Sequence, residues 1–275
     1  MLAHLTLAVA VAVAQPVAAQ PLTIAPALTY ADLADLALAA PIAAHLRVTS
    51  VDRLSEREAP NVRPGHRRFL VEADIVALIR GPSEVAQRLR YIVDLPDDSE
   101  GRPARLRRRD ELLVLAQLAP NRPGELQLIA PDAQITYAAA TADQLRQILR
   151  EASQADAAPR ITGIGRAFYV PGSLPGESET QIFLQTADNR PISLNILRRP
   201  GERPRWSVAL SEIVDAAAAP PEPNSLLWYR LACTLPQSLP ARSLAEAEPG
   251  EARAIAADYG LVIEGLGRCA RNRRR

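Results

Sequence analysis

The side chains able to do covalent chemistry are few. Cys233 and Cys269 are the only cysteines among 275 residues, and His4, His45 and His66 the only histidines. No lysine occurs; the 32 basic residues are all arginine. That excludes Schiff-base chemistry, the phosphate-loop lysine and serine–lysine dyads. The cysteine spacing is unlike the Cys-x-x-Cys of redox catalysts. A zinc site needs about four ligands, and beyond the N-terminal region the chain has only two histidines besides these cysteines. The expectation is one structural disulfide, Cys233–Cys269, with no metal site and no cofactor.

A serine hydrolase needs a histidine beside its nucleophile and a carboxylate to orient it. Beyond the N-terminal region only His45 and His66 can serve. His66 stands in the turn "PGHRR", and Ser173 and Ser178 stand in the loop "PGSLPGES". These three residues make a hydrolase the enzymatic alternative. No G-x-S-x-G elbow accompanies them, so a turn loop and surface or satisfied histidines are the plainer reading. "GIGRAF" (163–168) and "GLGRCA" (265–270) lack the strand–turn–helix setting of a dinucleotide fingerprint. Asp94, Asp97, Asp98 and Glu100 lack EF-hand spacing and read as a solvated turn. No catalytic residue is assigned.

Arginine clusters are the remaining chemical feature. "RPARLRRRD" holds Arg102, Arg105, Arg107, Arg108 and Arg109, and "RCARNRRR" ends the chain with five more. The guanidinium fork recognises phosphates and carboxylates. Nucleic acid is disfavoured as partner. Aromatic residues are only 4% of the chain, Tyr91 is the only one near the first cluster, and the formal net charge is +1. An anionic envelope lipid or polysaccharide suits residues 102–109 better, with a solvated, carboxylate-paired surface as the ordinary explanation.

These residues need a scaffold. Hydrophobic residues make up 48% of the chain, so with aromatics scarce the core must be Leu, Val, Ile and Ala. Thr29 caps a short helix in "TYADLADLALAA", which Pro41 ends. Strands follow at 45–53, 68–80, 88–95, 111–118 and 125–129, separated by turn signals such as "RPG" and "NRPG". Phe69, Val71, Ala73, Ile75 and Ala77 share one face of the second. "ELLVLAQL" at 111–118 is nearly continuous apolar and reads as a buried strand. "TADQ" (141–144) reads as the capping box of a closing helix.

The element order over residues 42–140 resembles an oligonucleotide/oligosaccharide-binding (OB) barrel. That resemblance implies a small antiparallel OB-like β-barrel with flanking helices. After the polar linker 153–160, strands at 161–169, 179–187, 191–198 and 205–210 form a four-stranded meander. Asn224 caps "SLLWYRLACTL", and a last helix from Pro249 carries Ile255, Tyr259, Val262 and Leu266 at helical spacing. The disulfide fastens these two segments, with Leu227, Leu231 and Thr234 facing Val262 and Leu266. The fold class is α+β. The division is a signal peptide at 1–19, a barrel unit at 20–155 and a meander unit at 156–275, with one continuous domain as the competitor.

"LTLAVAVAVA" (5–14) decides the compartment. It is too short for a membrane-spanning helix and fits the apolar core of a secretory signal. Gln15 and Pro16 break it, and Val17, Ala18 and Ala19 place small residues before a cleavage that leaves Gln20 first. The start "MLAH" lacks the usual basic residues, and an N-terminal core strand is the competitor. No other run is long enough to cross a membrane. The combined expectation is an exported, periplasmic or secreted, non-enzymatic binding or interaction protein. Its partner is an envelope protein or an anionic envelope ligand.

Overall fold

The computed structural model describes residues 28–273, apart from 56, 84, 99, 103, 104, 123 and 211–217. The signal expected at 1–19, most of the stretch before Thr29, and Arg274 and Arg275 lie outside the described residues.

The first helix, α1, spans Tyr30–Ala39. Thr29 Oγ1 accepts the Asp32 N–H, and the Asp32 carboxylate accepts the Thr29 N–H, both at 3.1 Å. This reciprocal box satisfies two of the donors a helix start leaves bare. Leu33, Leu36 and Ala37 are buried as the stripe predicts, and the chain turns at Pro41 straight into a strand.

Six strands follow: β1 (Ile42–Arg53), β2 (His66–Arg80), β3 (Arg88–Pro96), β4 (Glu111–Leu118), β5 (Glu125–Leu128) and β6 (Gln134–Thr136). The sheet order β1-β2-β3-β5-β4 closes through a β1–β4 pairing, and β6 adds to the free half of β4. The expected OB-like barrel is therefore present, but it is mixed rather than antiparallel. Among the five barrel strands every pairing is antiparallel except β3 with β5. The reason is parity. A closed ring of five strands cannot alternate direction all the way round, so at least one neighbouring pair must run the same way.

Inside the barrel, Leu46, Val48, Phe69, Val71, Ala73, Leu89, Tyr91, Val93, Leu112, Val114 and Leu126 form one buried cluster. The period-two face predicted on β2 holds at Phe69, Val71 and Ala73. It weakens at Ile75 and Ala77, which are only half-buried where β2 runs past the barrel. β4 is apolar from Leu112 to Ala116 because both its faces are covered there. Leu112 and Val114 point into the barrel, and Leu113 and Leu115 lie under α1 and the next helix.

That helix, α2, spans Ala139–Ser153 and buries Ala142, Leu145, Ile148 and Leu149. The "TADQ" capping box is not used. The helix starts two residues before Thr141, after Ala138, with no side-chain cap. The short β6, which the sequence pattern did not reveal, delivers the chain into the helix early.

The second sheet contains β7 (Ile161–Pro171), β8 (Ser178–Thr186), β9 (Ser193–Arg198) and β10 (Arg205–Ala209), paired as an antiparallel meander. Then come α3 (Leu226–Ala232), a short 3-10 turn at Ala241–Leu244, and α4 (Pro249–Leu266). Ser225, not Asn224, caps α3, accepting the Trp228 N–H at 3.1 Å. Asn224 instead takes a positive φ of 59° in the preceding turn. Ile255, Tyr259, Val262 and Leu266 of α4 pack on Ile164, Ile182, Leu194 and Ile196 of the sheet. Leu231 and Leu235 join them, whereas Thr234 is exposed rather than part of that face.

One charge is buried in this layer. Asp258 of α4 is fully enclosed, accepts Arg198 Nε at 2.6 Å and takes the Thr180 hydroxyl at 2.5 Å.

The glycines of "GLGRCA" have structural work. A Cβ on Gly265 would sit 2.6 Å from the Trp206 indole nitrogen, and Gly267 ends α4 at φ 68°. The turn sends the chain to Cys269, whose disulfide to Cys233 spans Cα atoms 5.1 Å apart. Residues 270–273 then return to the barrel side. The Ala270 carbonyl accepts the Thr29 hydroxyl, Arg271 pairs with Asp35 at 2.8 Å, and Arg273 pairs with Asp132 at 2.7 Å. Asp32 accepts the N–H groups of Asn272 and Arg273. Burial acts to raise the Asp32 pKa, but these N–H groups and Thr29 outweigh it and hold the carboxyl below its ordinary value. Among the described residues no helix is long and apolar enough to cross a membrane.

Candidate functional site

The structure separates the residues of the hydrolase alternative. His66 opens β2 in the barrel, with Nδ1 3.2 Å from the Pro64 carbonyl. Ser178 is buried on β8 of the other sheet, and the Ser173 N–H donates to Glu177 in the β7–β8 turn. No hydrogen bond joins His66 to either serine among the described residues. His45 is a satisfied histidine. Its Nε2 lies 3.0 Å from Glu111 Oε2, and its ring stacks on Tyr137 at 3.9 Å. Arg47 first and then His45 hold the Glu111 carboxyl below its ordinary value. This set ties β1 to β4 and has no nucleophile.

The arginines of 102–109 lie on the β3–β4 connection. Arg102 is engaged by Asp98 at 2.8 Å and Glu100 at 3.0 Å. Arg105, Arg107, Arg108 and Arg109 are exposed and make no ion pair among the described residues. The loop beneath them is pinned to β1, with Arg109 N–H on the Val48 carbonyl and Val48 N–H on that of Asp110. In the other cluster, Arg271 and Arg273 are engaged by carboxylates and belong to the tail contact.

A cleft of about 670 Å³ lies on the barrel, between β3 and the segment of β5 and its continuation. That size lies within the range of ligand sites, roughly 300–1,000 Å³. Every residue from Arg90 to Asp94 lines it, and every residue from Glu125 to Pro131. A hollow on a sheet face would be lined by alternate residues. Consecutive lining means the cleft is a gap between two strand edges. Its cause is a mismatch in length. β3 has nine residues and β5 four, and their ladder holds only Arg90↔Glu125 and Tyr91↔Leu126.

The cleft is apolar between charged walls. Leu70, Ile92 and Ile129 line it, and Ile92 is 52% exposed. Arg68 grips Asp94 with two contacts of 2.7 and 2.8 Å, and Arg90 holds Glu125 at 2.6 Å. Arg68 holds the Asp94 carboxyl below its ordinary value, and Arg90 does the same to Glu125. Arg63, from the β1–β2 loop, also lines the cleft and makes no ion pair among the described residues. Tyr91 is the only aromatic residue of the lining. It points into the barrel, where its hydroxyl donates to Gln134 at 2.7 Å. No aromatic face is offered to a base or sugar ring.

No protein-family model matches the chain, and no curated protein matches it significantly. The site's chemistry must therefore be read from its own residues. Among the described residues no group of three His, Cys, Asp or Glu side chains is placed to hold a metal. Sequence reasoning missed the cleft. The available signal was the shortness of the run "ELQLI", closed by Pro131, beside the long run at 88–95.

Proposed function

We propose that this chain is an exported, non-enzymatic binding or interaction module whose recognition site is the barrel cleft between β3 and β5. The observation that carries the reading is the gap itself, an apolar slot bounded by two strand edges and flanked by paired charges. A cleft left open by strand geometry, with its acids and bases tied to each other, suits binding better than proton transfer. Export is supported by the signal-like residues 1–19 and by the Cys233–Cys269 disulfide. Such bonds persist in oxidising compartments and are rare in the cytosol. Photo-crosslinking from Ile92, in protein exported by its own cell, is the test.

A second reading has its own support. Arg105 and Arg107–Arg109 are exposed and make no ion pair among the described residues, and an anionic envelope lipid or polysaccharide fits them. Replacing Arg107, Arg108 and Arg109 together by alanine is expected to weaken heparin or lipopolysaccharide binding about tenfold at low salt. The salt dependence should flatten in parallel. Unchanged retention of the triple variant on heparin and on lipopolysaccharide removes this reading and leaves the cleft.

A further inference from the structure

We infer that the cleft takes an extended segment of a partner polypeptide, which joins the free edge of β3 as an added strand. The inference rests on the cleft being the recognition site and names what fills it.

Main-chain geometry is the first argument. The Arg90 N–H donates to the Gly124 carbonyl at 2.9 Å, so the polar groups of Arg90 face β5. Alternation along the strand turns Ile92 and Asp94 the same way, and Tyr91, Val93 and Leu95 toward β2. The β3–β5 ladder stops at Tyr91↔Leu126. Beyond it, among the described residues, no strand pairs this side of β3. The N–H and C=O of Asp94 are thus directed into the cleft. A row of unpaired main-chain groups is a template for another strand. From Ile92 to Asp94 the edge offers the Asp94 N–H and the carbonyls of Ile92 and Asp94, enough to pair about three residues before Pro96, which has no N–H.

Side-chain chemistry is the second argument. A bound strand would set alternate side chains against Leu128, Ile129, Ala130 and Pro131. The lining carries four guanidinium groups, Arg63, Arg68, Arg90 and Arg122, against two carboxylates, Asp94 and Glu125. Arg63 makes no ion pair among the described residues, so an acidic residue in the incoming segment has a partner. The missing aromatic platform removes the stacking that single-stranded nucleic acid depends on. An extended, apolar and mildly acidic peptide satisfies all three features.

The test selects a displayed library of random peptides on the full, disulfide-bonded chain. Selected peptides are expected to alternate apolar residues and to carry an acid. N-methylating their alternate amides should weaken binding by about tenfold or more, the effect of losing one or two main-chain hydrogen bonds. Asp94→Pro removes an edge N–H that faces away from β2, a position where proline is tolerated. It should abolish binding, while Asp74→Ala, which breaks an exposed pair with Arg88 outside the cleft lining, should retain it within about threefold. If Asp94→Pro does not fold, the N-methylated peptides decide the matter on the unaltered chain.

Peptides that bind equally well when N-methylated overturn the inference, as does a library that yields none. Oligothymidylate and a heparin oligosaccharide then separate the two levels of the argument. If either shifts the NMR signals of Ile92 and Ile129, the cleft stands as a site and the added strand falls. If neither does, both fall.

Discussion

Replacing Cys233 and Cys269 together by alanine is expected to lower the stability of the chain by about 3–4 kcal/mol. The bond joins residues 36 positions apart, and closing a loop of that size removes much of the freedom of the unfolded chain. Within that loop α4 packs on the sheet, Leu239 and Leu244 pack on the same core, and Tyr259 donates to the Pro236 carbonyl, so the main effect of the bond falls on the unfolded chain. Position adds to this effect. Cys269 lies immediately before residues 270–273, which bond to Thr29, Asp32, Asp35 and Asp132 on the barrel side. Without the disulfide these contacts must order the tail alone. Urea denaturation of oxidised, reduced and double-alanine protein measures the loss. Hydrogen exchange of the amides of Asn272 and Arg273, which Asp32 accepts, should rise in the same samples. An unchanged urea midpoint would show that packing of α3 on α4 already holds the end of the chain.

Replacing Asp258 by alanine is the second large effect, a loss of about 2–4 kcal/mol. The carboxylate is fully buried, and it takes Arg198 through one oxygen and the Thr180 hydroxyl through the other. Truncation leaves a guanidinium and a hydroxyl without their partner under α4. The figure lies toward the lower end of the range for broken buried pairs because the Arg198 side chain is 34% exposed and reaches some water. Asp258→Asn, which keeps the shape and one acceptor oxygen, should lose less. The comparison that isolates burial is Asp74→Ala. It breaks another hydrogen-bonded pair, Arg88–Asp74 at 2.8 Å, but both side chains are about half exposed or more, and the urea midpoint should barely move. Equal shifts for Asp258→Ala and Asp74→Ala would contradict the account.

Much of this architecture was readable locally. Alternation located the long strands, the unbroken apolar run marked β4 as covered on both faces, and Ile255, Tyr259, Val262 and Leu266 marked the inward stripe of α4. The disulfide followed from a count of two cysteines near two helices and a presumed oxidising compartment. What escaped was non-local. Thr141 and Gln144 have the spacing of a capping box, but the barrel's last strand fixes where α2 begins, two residues earlier. Asn224 and Ser225 are both good caps, and the positive φ that the turn demands falls on Asn224. The parallel β3–β5 pair follows from closure, which no single strand records.

The cleft escaped for the same reason. It arises from two strands of unequal length meeting across the barrel, and Arg63, Ile92 and Pro131 become neighbours only once that ring closes. The arginines of 102–109 were legible as a cluster. That Asp98 and Glu100 engage Arg102 required the path of the loop.

The most direct measurement on the central claim is photo-crosslinking from position 92 in the disulfide-bonded protein within its own cell. Ile92 is half exposed at the centre of the cleft, so a crosslinking side chain there leaves the barrel core intact. Val170, 61% exposed on β7 of the other sheet, and Arg108 on the arginine loop provide comparison positions. The account predicts one discrete adduct from position 92, made weaker by Ile129→Glu in the facing wall and absent from position 170. No adduct from position 92, or an adduct formed only from position 108 or 170, would contradict it and move the binding site off the cleft.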